Sequence, residues 1–130
     1  MIVLDASGAI DWLLQTTVGR KIESRIYQRG ESLHAPHLLD LEVAQVLRRL
    51  VREGSVSAPR ADQAIEDLLD LRVTRYPHFV FLPRIWRLRD NFSAHDAAYL
   101  ALAQELGATL VTRDSRLASA SARLVSLELF

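Results

Sequence analysis

The spacing of apolar residues along the chain predicts short strands that alternate with amphipathic helices. The first apolar run, Ile2–Leu4, ends at Asp5 and is typical of a buried strand. Apolar residues at helical spacing then continue to Gly30, a typical helix stop. In chain order the pattern predicts a helix carrying Ile10, Trp12, Leu13 and Leu14, a helix over 18–29, a strand over 32–35 before Pro36, a helix over about 37–53, a helix capped by Ser57, a strand at Val80-Phe81, a helix opened by Pro83, a helix from Ser93 to Gly107, and strands over 109–112 and 124–127.

Strands that alternate with helices are typical of a parallel sheet that is covered on both faces. We therefore predict a three-layer α/β/α fold with a central parallel sheet. The 130 residues fit a single domain over 1–130, because one hydrophobic core most often serves about 100–150 residues. No repeat, low-complexity tract or linker interrupts the pattern.

The composition excludes several classes of protein. Hydrophobic residues make up 49% and charged residues 25% of the chain, as in an ordinary globular protein. Cysteine is absent, which excludes disulfides and thiolate metal sites. The first residues carry no basic leader, and no apolar run reaches the roughly 18–20 residues of a membrane span. We therefore expect a soluble, cytoplasmic protein without a membrane partner.

Two acidic residues follow predicted strands. Asp5 ends the first strand, and Asp114 comes two residues after the strand over 109–112. In open α/β sheets, ligands bind beyond the carboxyl ends of the strands, near the point where the strand order reverses. Each acid also has a structural alternative, in which it caps the turn that follows it. Ser7 either caps its helix or steadies a metal-bound carboxylate or water.

Two further acids lie on predicted helices. Glu42 flanks the apolar stripe of the helix over 37–53, where a carboxylate is costly unless it is paired or bound to a metal. The alternative is a glutamate at the rim that reaches solvent or pairs with Arg48 or Arg49. Asp96 stands three residues after Ser93, as in a capping box. Because the helix behind it is nearly all apolar, Asp96 is also expected at the mouth of a cleft.

Taken together, the four acids predict a metal site at one edge of the sheet. Ligand sets made only of oxygen select hard cations such as Mg²⁺ or Mn²⁺, which also bind substrate phosphates. Such ions activate water, polarise a phosphoryl oxygen and neutralise the leaving oxygen. Cleavage of a phosphodiester bond requires these three effects. The net charge of zero, from 16 acidic and 16 basic residues, would then leave an excess of positive charge outside the pocket.

Several segments of the sequence carry a resemblance to a known family. They resemble segments of PIN domains and, more closely, those of VapC-type toxins from bacterial and archaeal toxin–antitoxin pairs. The resemblance runs almost end to end, and the order and spacing of the acids match. The segments are Val3-Leu4-Asp5-Ala6-Ser7, Leu41-Glu42-Val43, Leu47-Arg48-Arg49, Ser93-Ala94-His95-Asp96-Ala97-Ala98-Tyr99 and Leu110-Val111-Thr112-Arg113-Asp114.

This resemblance implies an endoribonuclease that depends on Mg²⁺ or Mn²⁺, forms a homodimer and is inhibited by a small VapB-type antitoxin. It places the catalytic and metal-binding acids at Asp5, Glu42, Asp96 and Asp114, with Ser7 near the metal. The segment 72–89 contains five arginines and no acid. It either lines an RNA path, with Arg84 and Arg87 as candidate contacts, or forms a solvated face.

Other functions fit the residues less well. A phospho-receiver domain needs a lysine near the end of a late strand, whereas the only lysine is Lys21 in an early helix. A haloacid-dehalogenase-type phosphatase needs a second acid two residues after Asp5, where this chain has Ser7. A DNA nuclease related to flap endonucleases would need a longer chain. A housekeeping nuclease, or a PIN fold that binds RNA or a partner without cutting, remains the alternative.

Overall fold

A computed structural model describes residues 1–130, which form five strands and seven helices. None of the helices is both long enough and apolar enough to cross a membrane. A 3₁₀ turn at His78–Phe81 precedes the fifth helix. The elements are β1 (Ile2–Leu4), α1 (Ala6–Leu13), α2 (Thr17–Arg29), β2 (Leu33–Pro36), α3 (Leu38–Arg52), α4 (Ala58–Asp70), β3 (Val73–Tyr76), α5 (Leu82–Arg87), α6 (Ala94–Leu106), β4 (Thr109–Thr112), α7 (Ser115–Ser121) and β5 (Leu127–Leu129).

The five strands form one parallel sheet in the order β3-β2-β1-β4-β5. The central strand, β1, is fully buried and pairs Val3 with His34 of β2 on one side and with Leu110 of β4 on the other. From β1 the chain first builds outward to β3, then crosses over and builds outward from β4 to β5. The strand order therefore reverses between β1 and β4, where such sheets bind their ligands.

Helices cover both faces of the sheet, as the sequence predicts. Because crossovers between parallel strands are right-handed, α1 to α4 lie on one face and α5 to α7 on the other. The helix α6 packs against β1, β2 and β4, and its residues 97–103 are all buried. This position explains why α6 has no polar face in the sequence.

The helix ends agree with several predictions from the sequence. The hydroxyls of Ser57 and Ser93 accept hydrogen bonds from the first turns of α4 and α6, as N-caps do. Gly30 and Gly107 end α2 and α6 with φ values of 57° and 60°. Only glycine adopts this left-handed conformation without steric cost, which makes these two positions reliable stops.

The prediction of a strand at Val80-Phe81 is wrong. These residues belong to the 3₁₀ turn, and the third strand is instead β3 at Val73–Tyr76. The apolar run resembles a strand, but it lies between Pro77 and Pro83 and stays largely on the surface. The edge strand β3 has no fully buried residue, so it lacks the apolar pattern by which strands are recognised.

Two boundaries near the end of the sheet also differ from the predictions. The last strand is Leu127–Leu129 rather than 124–127, because residues 122–125 form the turn and bend that lead into it. The segment after Asp114 forms a complete helix, α7, whereas the sequence predicts only a turn. The run Ser115–Ser121 is short and has few large apolar residues, so its helical period is weak.

Candidate active site

The carboxylate of Asp5 lies at the carboxyl end of the central strand and is only 6% exposed. Its Oδ1 accepts hydrogen bonds from the hydroxyl of Ser7 at 2.7 Å and from the backbone N–H of Gly8 at 2.9 Å. Its Oδ2 accepts a hydrogen bond of 2.5 Å from the hydroxyl of Thr112, the last residue of β4. Both strands that flank the reversal of strand order therefore contribute to one buried carboxylate.

The two hydroxyls that donate to Asp5 are themselves fixed by backbone groups. The Oγ of Ser7 accepts a hydrogen bond of 2.9 Å from the N–H of Arg113. The Oγ1 of Thr112 accepts one of 2.9 Å from the N–H of Asp114. Each oxygen of Asp5 is thus connected, through one hydroxyl, to the loop that follows β4.

Burial raises the pKa of Asp5 above its usual value, because the charged form loses solvation. Hydrogen bonds from Thr112, Gly8 and Ser7 stabilise the charged form and lower the pKa in part. The negative charge of Asp96 raises it further. A carboxylate in this state is poorly solvated and is expected to gain from a bound cation.

Glu42 lies on α3, half-buried, and its Oε2 accepts a hydrogen bond of 2.8 Å from the hydroxyl of Tyr99 on α6. Its partner is therefore this phenol, and neither Arg48 nor Arg49 pairs with it. Burial raises the pKa of Glu42, and the negative charges of Asp5 and Asp96 raise it further. The Tyr99 hydrogen bond and the nearby charge of His95 act in the opposite direction.

Asp96 lies in the first turn of α6, as predicted. Its backbone N–H donates to the capping hydroxyl of Ser93 at 3.1 Å. Its carboxylate has no hydrogen-bond partner among the side chains or backbone groups of the chain, although it is not fully exposed. Because its charge acts on both Asp5 and Glu42, these three acids share one electrostatic environment.

Asp114 is the N-cap of α7 and faces that helix. Its Oδ1 accepts hydrogen bonds from the N–H groups of Arg116 at 2.8 Å and Leu117 at 3.2 Å. The guanidinium of Arg116 lies 3.8 Å from its Oδ2. The structural alternative from the sequence, in which Asp114 caps the following turn, is thus correct for this arrangement, while its backbone N–H stays connected to Asp5 through Thr112.

The donor set fits a hard divalent cation in its chemistry, because every candidate ligand is a carboxylate oxygen. In this arrangement, however, no three acidic or histidine side chains converge closely enough to coordinate one ion. The Oε2 of Glu42 and the Oδ1 of Asp114 are directed at Tyr99 and at α7. Binding of a metal would therefore require Glu42 and Asp114 to bring their other oxygens, Oε1 and Oδ2, toward Asp5 and Asp96.

Residues 2–122 match the family model described as PIN domain. The chain belongs to the PIN-domain family. This PIN domain is 44% identical over 117 residues to the VapC ribonuclease Mb0985 of Mycobacterium bovis. The matched region covers 90% of this chain and 88% of that protein.

Two solved structures share the fold of this PIN domain. One is PAE2754 from Pyrobaculum aerophilum, with a TM-score of 0.71 and 20% identity over 97% of this chain and 87% of that chain. The other is VapBC2 from Rickettsia felis, bound to a DNA fragment from their promoter, with a TM-score of 0.62 and 14% identity. It matches over 99% of this chain and 98% of that chain. At these identities the likeness concerns the fold alone.

Of the two roles that the sequence allows for Ser7, the one as cap of α1 is wrong. The N-cap is Asp5, whose backbone is extended and whose side chain accepts from Gly8. An N-cap side chain bonds the backbone two or three residues ahead, and Asp5 is correctly placed for this role. Ser7 is already the second residue of α1, so it cannot be the N-cap. Its hydroxyl instead connects Asp5 to the loop after β4.

Thr112 is the site residue of the PIN domain that the sequence did not reveal. The apolar pattern identifies it only as the end of a strand. Its relation to Asp5 depends on the register of β1 with β4, in which Leu4 pairs with Val111. The available signal is a polar residue that ends an otherwise buried strand two positions before an acid.

The two arginines proposed for RNA binding, Arg84 and Arg87, lie on the short helix α5. Arg84 donates a hydrogen bond to the side chain of Gln104 on α6. Arg87 is exposed and has neither an ion pair nor a hydrogen bond to the chain. Arg89, two residues on, lies over the ring of Trp86 at 4.9 Å from its centre.

A cleft beside the acids lies between the beginnings of α6 and α7. Its volume is about 360 Å³, and Ser93, Asp96 and Arg116 are among its lining residues. A larger groove of this PIN domain, about 590 Å³, lies elsewhere, where Leu33 begins β2 and Arg72 precedes β3. That groove is at the amino ends of the strands, so size alone does not indicate the site.

Proposed function

We propose that this chain is a divalent-metal-dependent endoribonuclease that hydrolyses RNA phosphodiester bonds and acts as the toxin of a VapBC-type pair. The observation that supports this most is Asp5. It is a buried carboxylate at the reversal of strand order, fixed through both oxygens, with the charges of Glu42 and Asp96 close to it. The 44% identity with a VapC ribonuclease over most of the chain supports the choice of RNA as substrate.

Asp5, Glu42, Asp96 and Asp114 are the proposed metal-binding and catalytic acids, and Mg²⁺ or Mn²⁺ is the proposed cofactor. The metal would supply an activated water and neutralise the charge that develops on the cleaved phosphate. Asp5 holds the fixed position in this set, because its hydrogen bonds define its orientation. Glu42 and Asp114 would approach it with Oε1 and Oδ2, which accept no hydrogen bond in this arrangement, while Tyr99 and α7 hold their other oxygens.

The proposed RNA path begins in the cleft of about 360 Å³ beside Asp96. The side chain of Arg116 lies at this cleft and is 91% exposed, which suits a contact to a phosphate. Arg87 is free to make a second contact, and Arg84 could do so after it releases Gln104. An enzyme acting on cellular RNA would work in the cytoplasm.

The proposed inhibitor is a VapB-type antitoxin. Three carboxylates that repel one another form a site that a cationic side chain would fill. We expect an antitoxin segment to lie over these acids and to present an arginine or lysine to them. If the reading frame directly upstream of this gene encodes such a small protein, its coexpression should relieve growth arrest caused by this chain alone.

The proposed homodimer would use the exposed apolar side chains that precede and begin α5. Four large residues there are 55–73% exposed, namely Phe79, Val80, Leu82 and Trp86. A contiguous set of exposed apolar side chains is typical of a protein interface. The apolar character of the segment thus favours contact with a second copy, next to the arginines proposed for RNA.

The test of the nuclease is the loss of a carboxylate with its shape preserved. We expect Asp5→Asn, and separately Asp96→Asn, to abolish Mn²⁺-dependent cleavage of RNA while the circular dichroism spectrum and unfolding cooperativity remain. Losing a metal ligand removes several kcal/mol of transition-state stabilisation, and about 1.4 kcal/mol is tenfold in rate. Asp62→Asn, on the surface of α4, is the matched control.

The outcomes separate the proposal from its alternatives. Undiminished cleavage by the Asp5→Asn, Asp96→Asn double variant would overturn the assignment of the site. Cleavage of RNA without any growth arrest, and without a copurifying partner, would favour a housekeeping nuclease. Binding of RNA without cleavage by the wild type would favour a PIN fold that has no nuclease activity.

A further inference from the structure

We propose that Thr112 is a positioning residue, whose hydroxyl fixes the carboxylate of Asp5 and the backbone of Asp114 in one arrangement. The inference rests on the proposed function, since it concerns the orientation of two proposed metal ligands. Thr112 does not touch substrate in this view and acts through its neighbours. Nothing in the family match or in the relatives' names assigns it a role.

The direction of its hydrogen bonds follows from the chemistry of a hydroxyl, which has a single proton. An ionised carboxylate only accepts, and a backbone N–H only donates. The short 2.5 Å contact to Asp5 Oδ2 therefore uses the proton of Thr112, and the 2.9 Å contact from the Asp114 N–H uses a lone pair. Along this chain of two hydrogen bonds, the Asp114 N–H donates to the Thr112 hydroxyl, which in turn donates to Asp5.

Burial removes the alternatives that a surface hydroxyl would have. Thr112 is 0% exposed, so no water can replace either partner without a local opening of the structure. Its neighbour in the sheet is the strand that carries Asp5, in the register Leu4 to Val111. A hydroxyl held in this way has one orientation, and it transmits that orientation to both partners.

Ser7 makes the matching connection on the other oxygen of Asp5. Its hydroxyl donates to Oδ1 and accepts from the N–H of Arg113, the residue before Asp114. Asp5 and the loop at 113–114 therefore form one hydrogen-bonded unit, although 107 residues separate Asp5 from Thr112. The connection through Ser7 ends at the backbone of Arg113. The connection through Thr112 ends at the backbone of Asp114, which is a proposed metal ligand.

The first measurement is direct Mn²⁺ binding by calorimetry on the full chain. Replacing a residue that orients a metal ligand typically weakens metal affinity by about 10–100-fold. We expect that loss for Thr112→Val, which keeps the shape but removes the hydroxyl. Thr112→Ser, which keeps the hydroxyl, should bind within about threefold of the wild type by comparison with that range. Thr109→Val, at the opposite end of β4, should not change the affinity.

The second measurement needs no metal. In the presence of a chelator, hydrogen exchange by NMR should show faster exchange of the Asp114 amide in Thr112→Val than in the wild type. The Arg113 amide should keep its protection in that variant and lose it in Ser7→Ala. A general loosening of the structure would instead accelerate exchange across β4, so the local pattern separates positioning from destabilisation.

The results decide the positioning role separately from the nuclease. Wild-type Mn²⁺ affinity in Thr112→Val, or equal weakening in Thr112→Val and Thr112→Ser, would overturn it. Unchanged protection of the Asp114 amide in Thr112→Val would overturn it as well, even if the chain bound no metal. A wild-type chain that neither binds Mn²⁺ nor cleaves RNA would overturn the proposed function, while the exchange pattern would still decide the role of Thr112.

Discussion

The phenol of Tyr99 on α6 donates a hydrogen bond of 2.8 Å to Glu42 on α3, a residue 57 positions earlier in the sequence. The side chain of Tyr99 is 1% exposed. Burial raises its pKa well above the usual range, and the charge of Glu42 adds to this shift. Tyr99 therefore stays protonated at neutral pH, and its hydroxyl remains a donor to Glu42.

Removing this donor should impair the site more than the core. We expect Tyr99→Phe to lower the free energy of unfolding by about 1–3 kcal/mol, because a half-buried carboxylate loses its partner. Cleavage of RNA should fall by about 10–100-fold, as for other residues that orient metal ligands. The control is Tyr27→Phe, since Tyr27 is 68% exposed. Equal effects of the two variants in urea melts and cleavage assays would contradict this role.

The stability of the metal-free protein should depend on the protonation of Asp5 and Glu42. Burial raises both pKa values above their ordinary values of 3.8 for Asp5 and 4.5 for Glu42. Between the ordinary and the raised value, the native state binds more protons than the unfolded chain. Their contribution to the free energy of unfolding is therefore fully present below the ordinary values and is lost as the pH rises through the raised ones.

This dependence is measured best as a difference, because other groups act in the opposite direction. Burial lowers the pKa of His34, and hydrogen bonding to Arg25 lowers that of Glu31. In chelator, Asp5→Asn should be more stable than the wild type at about pH 7.5, and the difference should shrink toward about pH 5. Lower stability of Asp5→Asn at neutral pH would mean that Asp5 serves only as the cap of α1.

Saturating Mn²⁺ should make the wild type more stable than Asp5→Asn at neutral pH, the reverse of the order in chelator. Binding requires ionised ligands and stabilises the native state by mass action, so Mn²⁺ should raise the melting temperature of the wild type more at about pH 7.5 than at about pH 5.5. The Asp5→Asn variant should respond little at either pH. Equal stabilisation at both pH values would indicate binding to groups other than these acids.

Gly19 should be the least replaceable glycine of the chain. A Cβ at this position would lie 1.9 Å from the backbone oxygen of Asp11, where α1 and α2 approach each other. Backbone cannot yield as a side chain does, so Gly19→Ala should cost at least the roughly 1–3 kcal/mol of over-packing. Gly30→Ala, which meets no atom within 4 Å but has φ at +57°, should cost about 1–2 kcal/mol. Chemical denaturation of both variants checks the order, and a milder effect at Gly19 would contradict it.

The exposed apolar segment at α5 gives a test of the proposed homodimer. We expect Trp86→Glu to shift the protein from dimer to monomer in analytical ultracentrifugation, because it places a charge in the interface. Since Trp86 is 66% exposed, stability of the fold should change little. Leu69→Glu, which is 75% exposed on α4, is the control and should leave the dimer intact. A wild type that sediments as a monomer at all concentrations would exclude this partner.

Much of the fold could be predicted because its central elements have strong local signals. The strand β1 is a short, entirely apolar run, and the caps at Ser93 and Gly107 define α6 within a residue. The edge strand β3 escaped prediction because only partly buried residues form it, so its apolar alternation is weak. The segment 78–81 gave a false strand signal for the opposite reason, since the apolar side chains of Phe79 and Val80 remain exposed between two prolines.

The candidate site was predictable as a set of residue types but not as a set of contacts. Asp5, Glu42, Asp96 and Asp114 each stand where a strand or helix meets the sheet edge, which the sequence indicates. The partner of Glu42 is a tyrosine 57 residues away, and the partner of Asp5 is a threonine 107 residues away. Such pairs depend on sheet register and on helix packing, and no local pattern encodes either.

The pairing of β1 with β4 also determines when the chain can become a nuclease. Asp5 directly follows the first strand, and the strand that carries Thr112 is the fourth of the five. Contacts between segments so far apart form late, because a long loop must close first. Translation products and proteolytic fragments that stop before residue 109 hold three of the four acids yet lack the strand that completes the pocket. Incomplete copies of the protein should consequently be harmless to the cell that makes them.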